Sequence, residues 1–523
     1  MRFQRLRKVL RWTLRAILAL TILLILFILE ENIRGRILLS RYQAELRAKG
    51  EKLSLEELNL PQPLSETNAA AALLAVADQL EQVTRESRGM MYMAGGLLYL
   101  KPGVAVVVHK QQMLLRRVYP SGSLQPIASW EEMSKALQPV DASLDQASRV
   151  LQQGAVEFEL DYAAGLEMHL PHLNRVRTLS RWCAFSSLLK LHDGDVNGAL
   201  DRVETMRKLA DSLADERAQI CQLVRVSIGT SILYTAWEVL QADNLTNSEL
   251  ERLQRICAMP DITGDILNSF ESQVISYQRI FRTTREFDWV AQLRENLQPS
   301  HLVEGGWREA FETPKGLLWK IAWLNQDECR ALELWYTALR RVREGVGQGS
   351  WVKARGHLPE DVFPRSTPRL YDRWRYVISP MAFDLNWRKT VLNGFRIECQ
   401  RDLALTAIAL QRYKLRHGEF PSDLDSLATE FLPQQTHDYM DGNPLRYHVN
   451  GNGTFTLYSV GEDCEDNGGD PSPVPPSHAL DMRMGRDEVW PTPATREEVE
   501  AWPMVERMEE IEQPPLSRGP RRR

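Results

Sequence analysis

The chain has 523 residues, 43% hydrophobic and 25% charged, a composition typical of globular proteins and not of disordered or fibrous chains. Its 64 lysines and arginines against 69 aspartates and glutamates give a formal net charge of −5. Such a balance argues against a dedicated nucleic-acid-binding protein, which normally carries a basic excess. Six cysteines are too few for a disulfide-based secreted scaffold. At about 150 residues per domain, the length predicts roughly three structural units.

Residues 1–31 carry a membrane-targeting pattern. Residues 1–15 contain six arginines and lysines and no acidic residue, and an uninterrupted apolar run follows from Ala16 to Leu29. As a helix this run rises about 21 Å, less than the ~30 Å hydrocarbon core, which by itself suits a cleaved signal peptide. No small-x-small cleavage pattern follows Leu29, and apolar residues upstream lengthen the span. These features favour an uncleaved anchor over a cleaved signal or a soluble buried helix.

The charge asymmetry around this segment predicts its orientation. The positive-inside rule places residues 1–11 in the cytoplasm and the chain after about residue 31 outside it. No second stretch approaches 18 apolar residues. The sequence therefore predicts a single-pass protein of the inner (cytoplasmic) membrane with most of its chain extracytoplasmic.

The next two segments are predicted to be mostly helical. Residues 32–62 form a polar connector that continues the anchor as a helix until Leu60-Pro61-Gln62-Pro63 interrupts it. Residues 63–345 have a mainly helical apolar period, which predicts an antiparallel helical array with a short strand at Val104–Val108. The predicted helices of the array are Asn68–Gln82, Trp130–Leu137, Ala142–Gln152, Leu173–Leu191, Asp195–Leu213, Glu216–Leu240 and Asn247–Cys257.

Part of this array resembles a helical repeat. Gly194-Asp195, Ala199-Leu200 and Leu209-Ala210 are similar to half of a tetratricopeptide unit. A repeat requires a second copy at a fixed period, and none is evident nearby. An αα-hairpin within a helical bundle is therefore favoured over a peptide-binding solenoid.

Tryptophan is concentrated between residues 289 and 387. Tryptophans at helical spacing favour a core position, while a glycan-binding platform or a surface resting on the bilayer is the alternative. Residues 346–390 include a proline-rich loop or hinge. The eight tryptophans are Trp289, Trp307, Trp319, Trp323, Trp335, Trp351, Trp374 and Trp387.

Motifs for enzyme chemistry are weak. The sequence has no P-loop, no Gly-x-Ser-x-Gly and no His-Glu-x-x-His. Glu167, His169 and His172 are close in sequence, but Pro171 disrupts helical presentation, so a packed or hydrogen-bonded histidine pair is favoured over a metal site. Cys399 and Cys464 are candidates for a disulfide if the loop around Cys464 folds back on the preceding helix.

Residues 391–470 have the most informative local pattern. A long helix is predicted over Asn393–His417, ending at Gly418. A short helix over Asp423–Phe431 follows, and then two strands, Leu445–Val449 and Thr454–Val460. The residues Asn450-Gly451-Asn452-Gly453 between the strands are strong hairpin formers because Asn and Gly accept positive φ.

Several motifs in this region resemble the major (G-type) pseudopilin of type II secretion. The helix end Tyr413-Lys-Leu-Arg-His417-Gly418-Glu-Phe420-Pro421 and the segment Asp441-Gly442-Asn443-Pro444 carry the resemblance, together with Ser459-Val460-Gly461-Glu462-Asp463 and Gly468-Gly469. The whole chain also resembles a group of uncharacterised membrane-anchored bacterial envelope proteins with the same cassette. The N-terminus has no prepilin-peptidase site, and about 360 residues separate the anchor from the cassette, which argues against polymerisation by the family's helix packing.

The resemblance implies a calcium-binding end loop. By match to the family, the candidate ligands are Ser459, Asp463 and Asp466, and calcium is the only cofactor that the resemblance implies. Cys464 stands where the family usually has glycine. The alternative is an acidic, solvated loop leading into the tail.

The expected fold is mainly α: a transmembrane helix, an antiparallel helical array, a small α+β pseudopilin-like cassette with a β-hairpin, and a disordered tail. The proline-rich tail covers residues 471–523, with a short acidic helix possible over Glu497–Ile511. The expected function is that of a membrane-anchored extracytoplasmic scaffold that binds an envelope protein, associated with type II secretion or pilus-like machinery. The alternative is an envelope enzyme that acts on glycan or peptide through the tryptophan-rich region. The expected partners are the membrane and an envelope protein, and not nucleic acid.

Overall fold

The computed structural model describes most of the chain as helices with a few small sheets. The described residues are 2–58, 60, 68–83, 96–117, 123–286, 314–358, 372–379, 387–428, 430–432, 436–474 and 482–504. In chain order the helices are α1 (Arg2–Ala48), α2 (Ala70–Val83), α3 (Trp130–Gln153), α4 (Pro171–His192), α5 (Val196–Asp211), α6 (Gln219–Val239), α7 (Asn247–Cys257), α8 (Ile262–Glu286), α9 (Pro314–Ala322), α10 (Leu324–Val346), α11 (Trp351–Ala354), α12 (Asp372–Arg375), α13 (Trp387–His417) and α14 (Arg496–Glu500).

The first helix is long and apolar enough to cross a membrane. Every side chain from Leu10 to Phe27 is exposed in the described chain, and contacts with the rest of the protein begin at Phe27 and Ile28. The predicted extension into the connector is confirmed, but the helix ends at Ala48 and not at Leu60. Gly50 adopts a φ of +80° directly after it, a conformation that glycine reaches at low cost and that turns the chain away from the helix axis.

The C-terminal half of α1 packs against the rest of the protein. Glu31 is 4% exposed and accepts hydrogen bonds from Trp323 Nε1 at 2.9 Å and Gln326 Nε2 at 2.8 Å. Further along, Arg343 of α10 binds Glu51 at 2.8 Å, just beyond the end of α1. Helix α10 therefore runs alongside α1 for about twenty residues, in the same direction.

The array between α2 and α8 follows the predicted helices closely. The predicted bounds of α7 are those observed, and α4 and α5 pack as an αα-hairpin whose turn contains Gly194 at a φ of +78°. The segments predicted as Trp130–Leu137 and Ala142–Gln152 form one helix, α3, that continues through Pro139. Burial of Leu137, Val140 and Leu144 on one face compensates for the hydrogen bond that the proline removes.

Helix α13 is buried inside this array. It packs against α6, α7 and α8, and no residue between Thr390 and Lys414 is exposed. Gly418, at a φ of +86°, ends the helix as predicted. The short helix predicted over Asp423–Phe431 is wrong, since only a 3₁₀ turn at Asp425–Leu427 forms.

The strands form three small sheets. Strands β5 (Arg446–Val449) and β6 (Phe455–Ser459) make the predicted antiparallel hairpin. In the first sheet, β1 (Leu98–Lys101) pairs antiparallel with β2 (Val104–Val106), and in the second, β3 (Met113–Arg117) pairs with β4 (Leu124–Ser129).

The prediction of a disordered tail is wrong for residues 482–504. Strand β7 (Glu488–Val489) adds to β6, and β8 (Thr492–Pro493) pairs in parallel with β2. Trp237 Nε1 donates to the Pro491 carbonyl at 2.8 Å in a buried position. These short strands lie at sheet edges, where proline is tolerated. Of the predicted acidic helix only Arg496–Glu500 forms, and residues 505–523 lie outside the described part of the chain.

Candidate functional site: an acidic groove in the helical array

The predicted calcium ligand Ser459 lies at the end of β6 beside a buried carboxylate. Its hydroxyl donates to Asp438 Oδ1 at 2.7 Å. The same carboxylate accepts backbone N–H bonds from Met440 and Val460, both at 2.9 Å. Burial nevertheless raises the pKa of Asp438 above its ordinary value, because desolvation penalises the charged form. The hydroxyl of Ser459 is therefore hydrogen-bonded to a carboxylate of this protein, Asp438.

The two predicted aspartate ligands, Asp463 and Asp466, accept hydrogen bonds from different residues. Asp463 Oδ1 accepts from the Glu465 N–H at 3.0 Å, whereas Asp466 Oδ1 accepts from the Tyr458 hydroxyl at 3.0 Å and the Gly468 N–H at 2.9 Å. Within the described residues, neither belongs to a group of three His, Cys, Asp or Glu side chains with ligand atoms within 4.8 Å. Calcium binding stays a prediction.

A guanidinium group lies among the carboxylates of this region. Arg446 Nη1 is 2.8 Å from Asp438 Oδ2, Nη2 pairs with Asp441, and Nε is 3.5 Å from Asp466 Oδ2. Asp487 binds the backbone N–H groups of the acidic loop, at 2.7 Å to Gly469 and 2.9 Å to Asp470. The acidic end loop thus forms ion pairs and hydrogen bonds with other groups of the protein. The number of acidic residues in the sequence did not indicate these partners.

The cysteines considered for a disulfide are both free. Cys399 Sγ contacts Asp438, and Cys464 Sγ contacts the Met440 carbonyl, each at 3.5 Å. The thiols therefore approach the same turn without being joined.

A groove with a cavity volume of about 880 Å³ opens elsewhere, between α3 and α5. One wall is the segment 154–162, which runs from the end of α3 to a 3₁₀ turn that begins at Tyr162 and contains no other helix or strand. The other wall is the end of α5 and the turn that follows it, from Lys208 to Glu216. Leu151, Val156 and Phe158 give the groove an apolar base.

Within the described residues, the segment 154–162 is hydrogen-bonded to the rest of the chain at several points but not at Phe158 and Glu159. Asn68 binds the backbone of Glu157, with 2.7 Å from its Nδ2 to the carbonyl and 3.1 Å from the N–H to its Oδ1. The backbone groups of Phe158 and Glu159 make no hydrogen bond within the described chain. This stretch therefore has free donors and acceptors of the kind that an incoming extended peptide pairs with.

The rim of the groove is strongly acidic. Among the described lining residues there are six carboxylates and one cation, Lys208. Asp211 pairs with Arg207 at 2.9 Å and Glu216 with His172 at 3.0 Å. Three more of the six are exposed, and in the part of the chain that the structure describes they form no ion pair and no side-chain hydrogen bond: Glu159, Asp161 and Asp215.

Behind Glu216 lies a buried polar cluster. His172 is 2% exposed, stacks on Phe158 at 4.3 Å between ring centroids, and has its Nε2 3.1 Å from Glu216 Oε2. The Cys221 thiol lies beside the same carboxylate, and burial and this negative charge both raise its pKa. The expected histidine pair is wrong, because His169 is exposed and the partner of His172 is Glu216. Pro171 opens α4, so it presents His172 on the first turn instead of disrupting the helix.

The tryptophan-rich region is mainly core. Trp319, Trp323, Trp335, Trp351 and Trp387 are each at most 4% exposed, as the favoured interpretation predicts. Trp374 is 46% exposed, and Trp289 and Trp307 lie outside the described residues. The buried indoles are therefore unavailable as a platform for glycan.

Sequence reasoning missed the groove, since its walls are separated by about fifty residues and neither carries a motif. The available signal was the run Glu157, Glu159, Asp161 in a stretch without helical period. Comparisons of the chain with protein-family models, curated proteins and solved structures found no match. The fold defines a mainly helical protein with one N-terminal helix that is long and apolar enough to cross a membrane.

Proposed function

We propose that this protein is a membrane-anchored extracytoplasmic scaffold whose acidic groove binds an extended, basic segment of an envelope protein. The observation that supports this most directly is the set of three exposed, unpaired carboxylates, Glu159, Asp161 and Asp215, on the rim of a groove with an apolar base. Unpaired charges of one sign around a cleft attract a ligand of the opposite sign and speed its association.

The backbone of the groove supports an extended ligand. The free backbone groups of Phe158 and Glu159 favour a partner strand laid alongside the segment 154–162. Alternate side chains of such a strand point to opposite faces, so a sequence that alternates basic and apolar residues fits both the rim and the base.

Docking of α1 on α9 and α10 supports the scaffold role. Asn32 Nδ2 donates to the Ile321 carbonyl at 2.6 Å, and Phe27 packs edge to face on Trp323 at 6.2 Å between ring centroids. These contacts begin where the apolar stretch of α1 ends. A bilayer around that stretch therefore lies close against the array, which is held near the membrane surface and not on a flexible tether.

The resemblance of residues 391–470 to pseudopilins supports a partner from secretion or pilus-like machinery. In this chain α13 is enclosed by α6, α7 and α8. Its surface is therefore not free to pack against the same helix of another copy. Under the proposal, the protein contacts such machinery through its groove and does not join a filament by helix packing.

The test is binding of a fluorescein-labelled decapeptide of alternating lysine and leucine to the full chain in detergent, measured by fluorescence anisotropy. We expect the double variant Glu159→Lys, Asp215→Lys to weaken binding at least about tenfold, since each change replaces an attraction by a repulsion. Raising the salt concentration should weaken wild-type binding and have less effect on the variant.

The matched control is Asp193→Lys, which reverses an exposed carboxylate outside the groove, at the turn between α4 and α5. The proposal requires this control to bind as the wild type does. Equal loss in control and double variant, or wild-type affinity in both, would contradict a binding site in the groove.

A further inference from the structure

The buried cluster behind the groove contains three side chains of the types that bind transition metals. The potential ligand atoms of His172, Glu216 and Cys221 all lie within 4.8 Å of one another, and all three residues are buried. The three residues lie in different parts of the chain. His172 is in the first turn of α4, Glu216 is in the turn before α6, and Cys221 is in the first turn of α6. The packing of α4 against α6 brings them together.

A simple histidine–glutamate pair leaves part of this cluster unexplained. Both carboxylate oxygens of Glu216 lie close to His172 Nε2, Oε2 at 3.1 Å in hydrogen-bond geometry and Oε1 at 3.0 Å, but Oε1 is buried and has no hydrogen bond of its own, since one nitrogen donates at most one proton. The Glu216 side chain is 7% exposed, and an unsatisfied buried carboxylate oxygen has a substantial desolvation cost. The Cys221 thiol lies within 4.8 Å of the same carboxylate.

We propose that His172, Glu216 and Cys221 bind a zinc ion. An imidazole nitrogen, a carboxylate oxygen and a thiolate sulfur are the three ligand types that zinc takes in proteins, and three protein ligands leave a fourth tetrahedral position open. The thiol proton leaves to solvent as the zinc–sulfur bond forms. The carboxylate oxygen that lacks a hydrogen bond becomes a ligand, so the buried charge is neutralised.

The cluster borders the groove. Glu216 and Phe158, which stacks on His172, both line the cavity, whereas Cys221 is fully buried and does not line it. A water molecule or a donor group of a ligand in the groove would complete the coordination. This inference goes beyond the proposed function, since the binding of a basic segment to the rim does not require a metal.

The experiment uses the full chain without a polyhistidine tag, stripped of metal with a chelator and then titrated with Zn²⁺ against a chromophoric competitor. We expect one zinc per chain, and at least about 100-fold weaker binding for Cys221→Ser and for Glu216→Gln, since even the loss of an outer-shell group costs 10- to 100-fold. Cys183→Ser is the matched control, because Cys183 is equally buried on neighbouring α4 but outside the cluster, and its affinity should equal that of the wild type.

Substitution of Co²⁺ for Zn²⁺ tests the wild type without any variant. A thiolate ligand gives a sulfur-to-cobalt charge-transfer band in the near ultraviolet, which we expect in wild type and Cys183→Ser and not in Cys221→Ser. Absence of stoichiometric zinc, absence of this band in the wild type, or equal zinc affinity in Cys221→Ser would overturn the proposal. Peptide binding measured in parallel distinguishes failure of the metal site from failure of the groove.

Discussion

Two acidic regions of this protein differ in what neutralises them. Beside the end loop, Asp466 of that loop and Asp438 and Asp441 of the segment before β5 converge on the guanidinium of Arg446. Around the groove, Glu159 and Asp215 have no such partner within the described chain. Carboxylates that are already paired contribute to the fold, while unpaired ones around a cleft remain available to a ligand. A structural loop and a binding site therefore differ in whether their carboxylates have ion-pair partners within the protein, and not in how many acidic residues they contain.

The largest effect is expected from Arg446→Met. The substitution leaves the fully buried Asp438 side chain without its cation, and removal of one partner of a buried pair costs about 3–5 kcal/mol. Thermal and denaturant unfolding should therefore show a loss of about 3 kcal/mol. The control Arg496→Met removes an 82% exposed arginine from an i,i+4 pair and should leave the free energy of unfolding nearly unchanged, because solvent screens such a pair. Equal effects for the two variants would show that Arg446 has no special structural role.

A smaller effect is expected from calcium on the Arg446→Met variant. Without the guanidinium, Asp438, Asp441 and Asp466 lack their shared cation, so calcium should stabilise the variant more than the wild type. A ligand at 100 times its Kd stabilises by about 2.7 kcal/mol, which melting curves resolve, and magnesium serves as the comparison ion. If the wild type itself shifts and Asp463→Ala abolishes the shift, the calcium site predicted at Ser459, Asp463 and Asp466 is supported instead.

The pH dependence of the free energy of unfolding should report the interaction between Asp441 and Arg446. Burial alone would raise the pKa of Asp441, but the hydrogen bonds from Arg446 and Asn443 hold it below its ordinary value of 3.8. A depressed pKa means that the unfolded state binds more protons, so this contribution is present above pH 3.8 and is lost as the pH falls through the folded-state pKa. Asp441→Asn should therefore flatten the decline of stability in acid, measured by denaturant unfolding. In the Arg446→Met background the same substitution should have much less effect.

The smallest effect on stability is expected at the groove. Glu159→Lys and Asp215→Lys change exposed side chains that have no ion pair or side-chain hydrogen bond within the described residues, so each should alter the free energy of unfolding by no more than about 0.5 kcal/mol. The measurement is the same denaturant unfolding that is used for Arg446→Met. A loss above 1 kcal/mol would indicate that these carboxylates contribute to the fold after all.

Features with local causes were predictable from the sequence. Helix α7 was predicted to the residue, and the structure shows a local cause for its start, a capping box formed by Thr246 and Glu249. The β5–β6 hairpin follows from the Asn-Gly residues of its turn. Contacts between distant segments were not predictable: β7 joins β6 across an acidic loop and a proline-rich stretch, a composition that by itself indicates disorder.

The candidate site was less predictable than the fold. His172 was singled out, but its partner Glu216 is 44 residues away and no spacing rule connects them. The sequence also gave no means of knowing that Arg446 would lie among the acidic residues predicted to bind calcium. In both cases the missing information is tertiary packing, which determines the charges that each carboxylate faces.

The most direct measurement is site-specific photocrosslinking of the full chain in its native membrane. A photoreactive amino acid is placed at Glu159 in the groove and, as control, at Asp193 outside it. We expect an adduct with one envelope protein from position 159 only, mapped to an extended segment rich in lysine or arginine. The same adducts from both positions, or none from position 159, would contradict the groove as the partner-binding site.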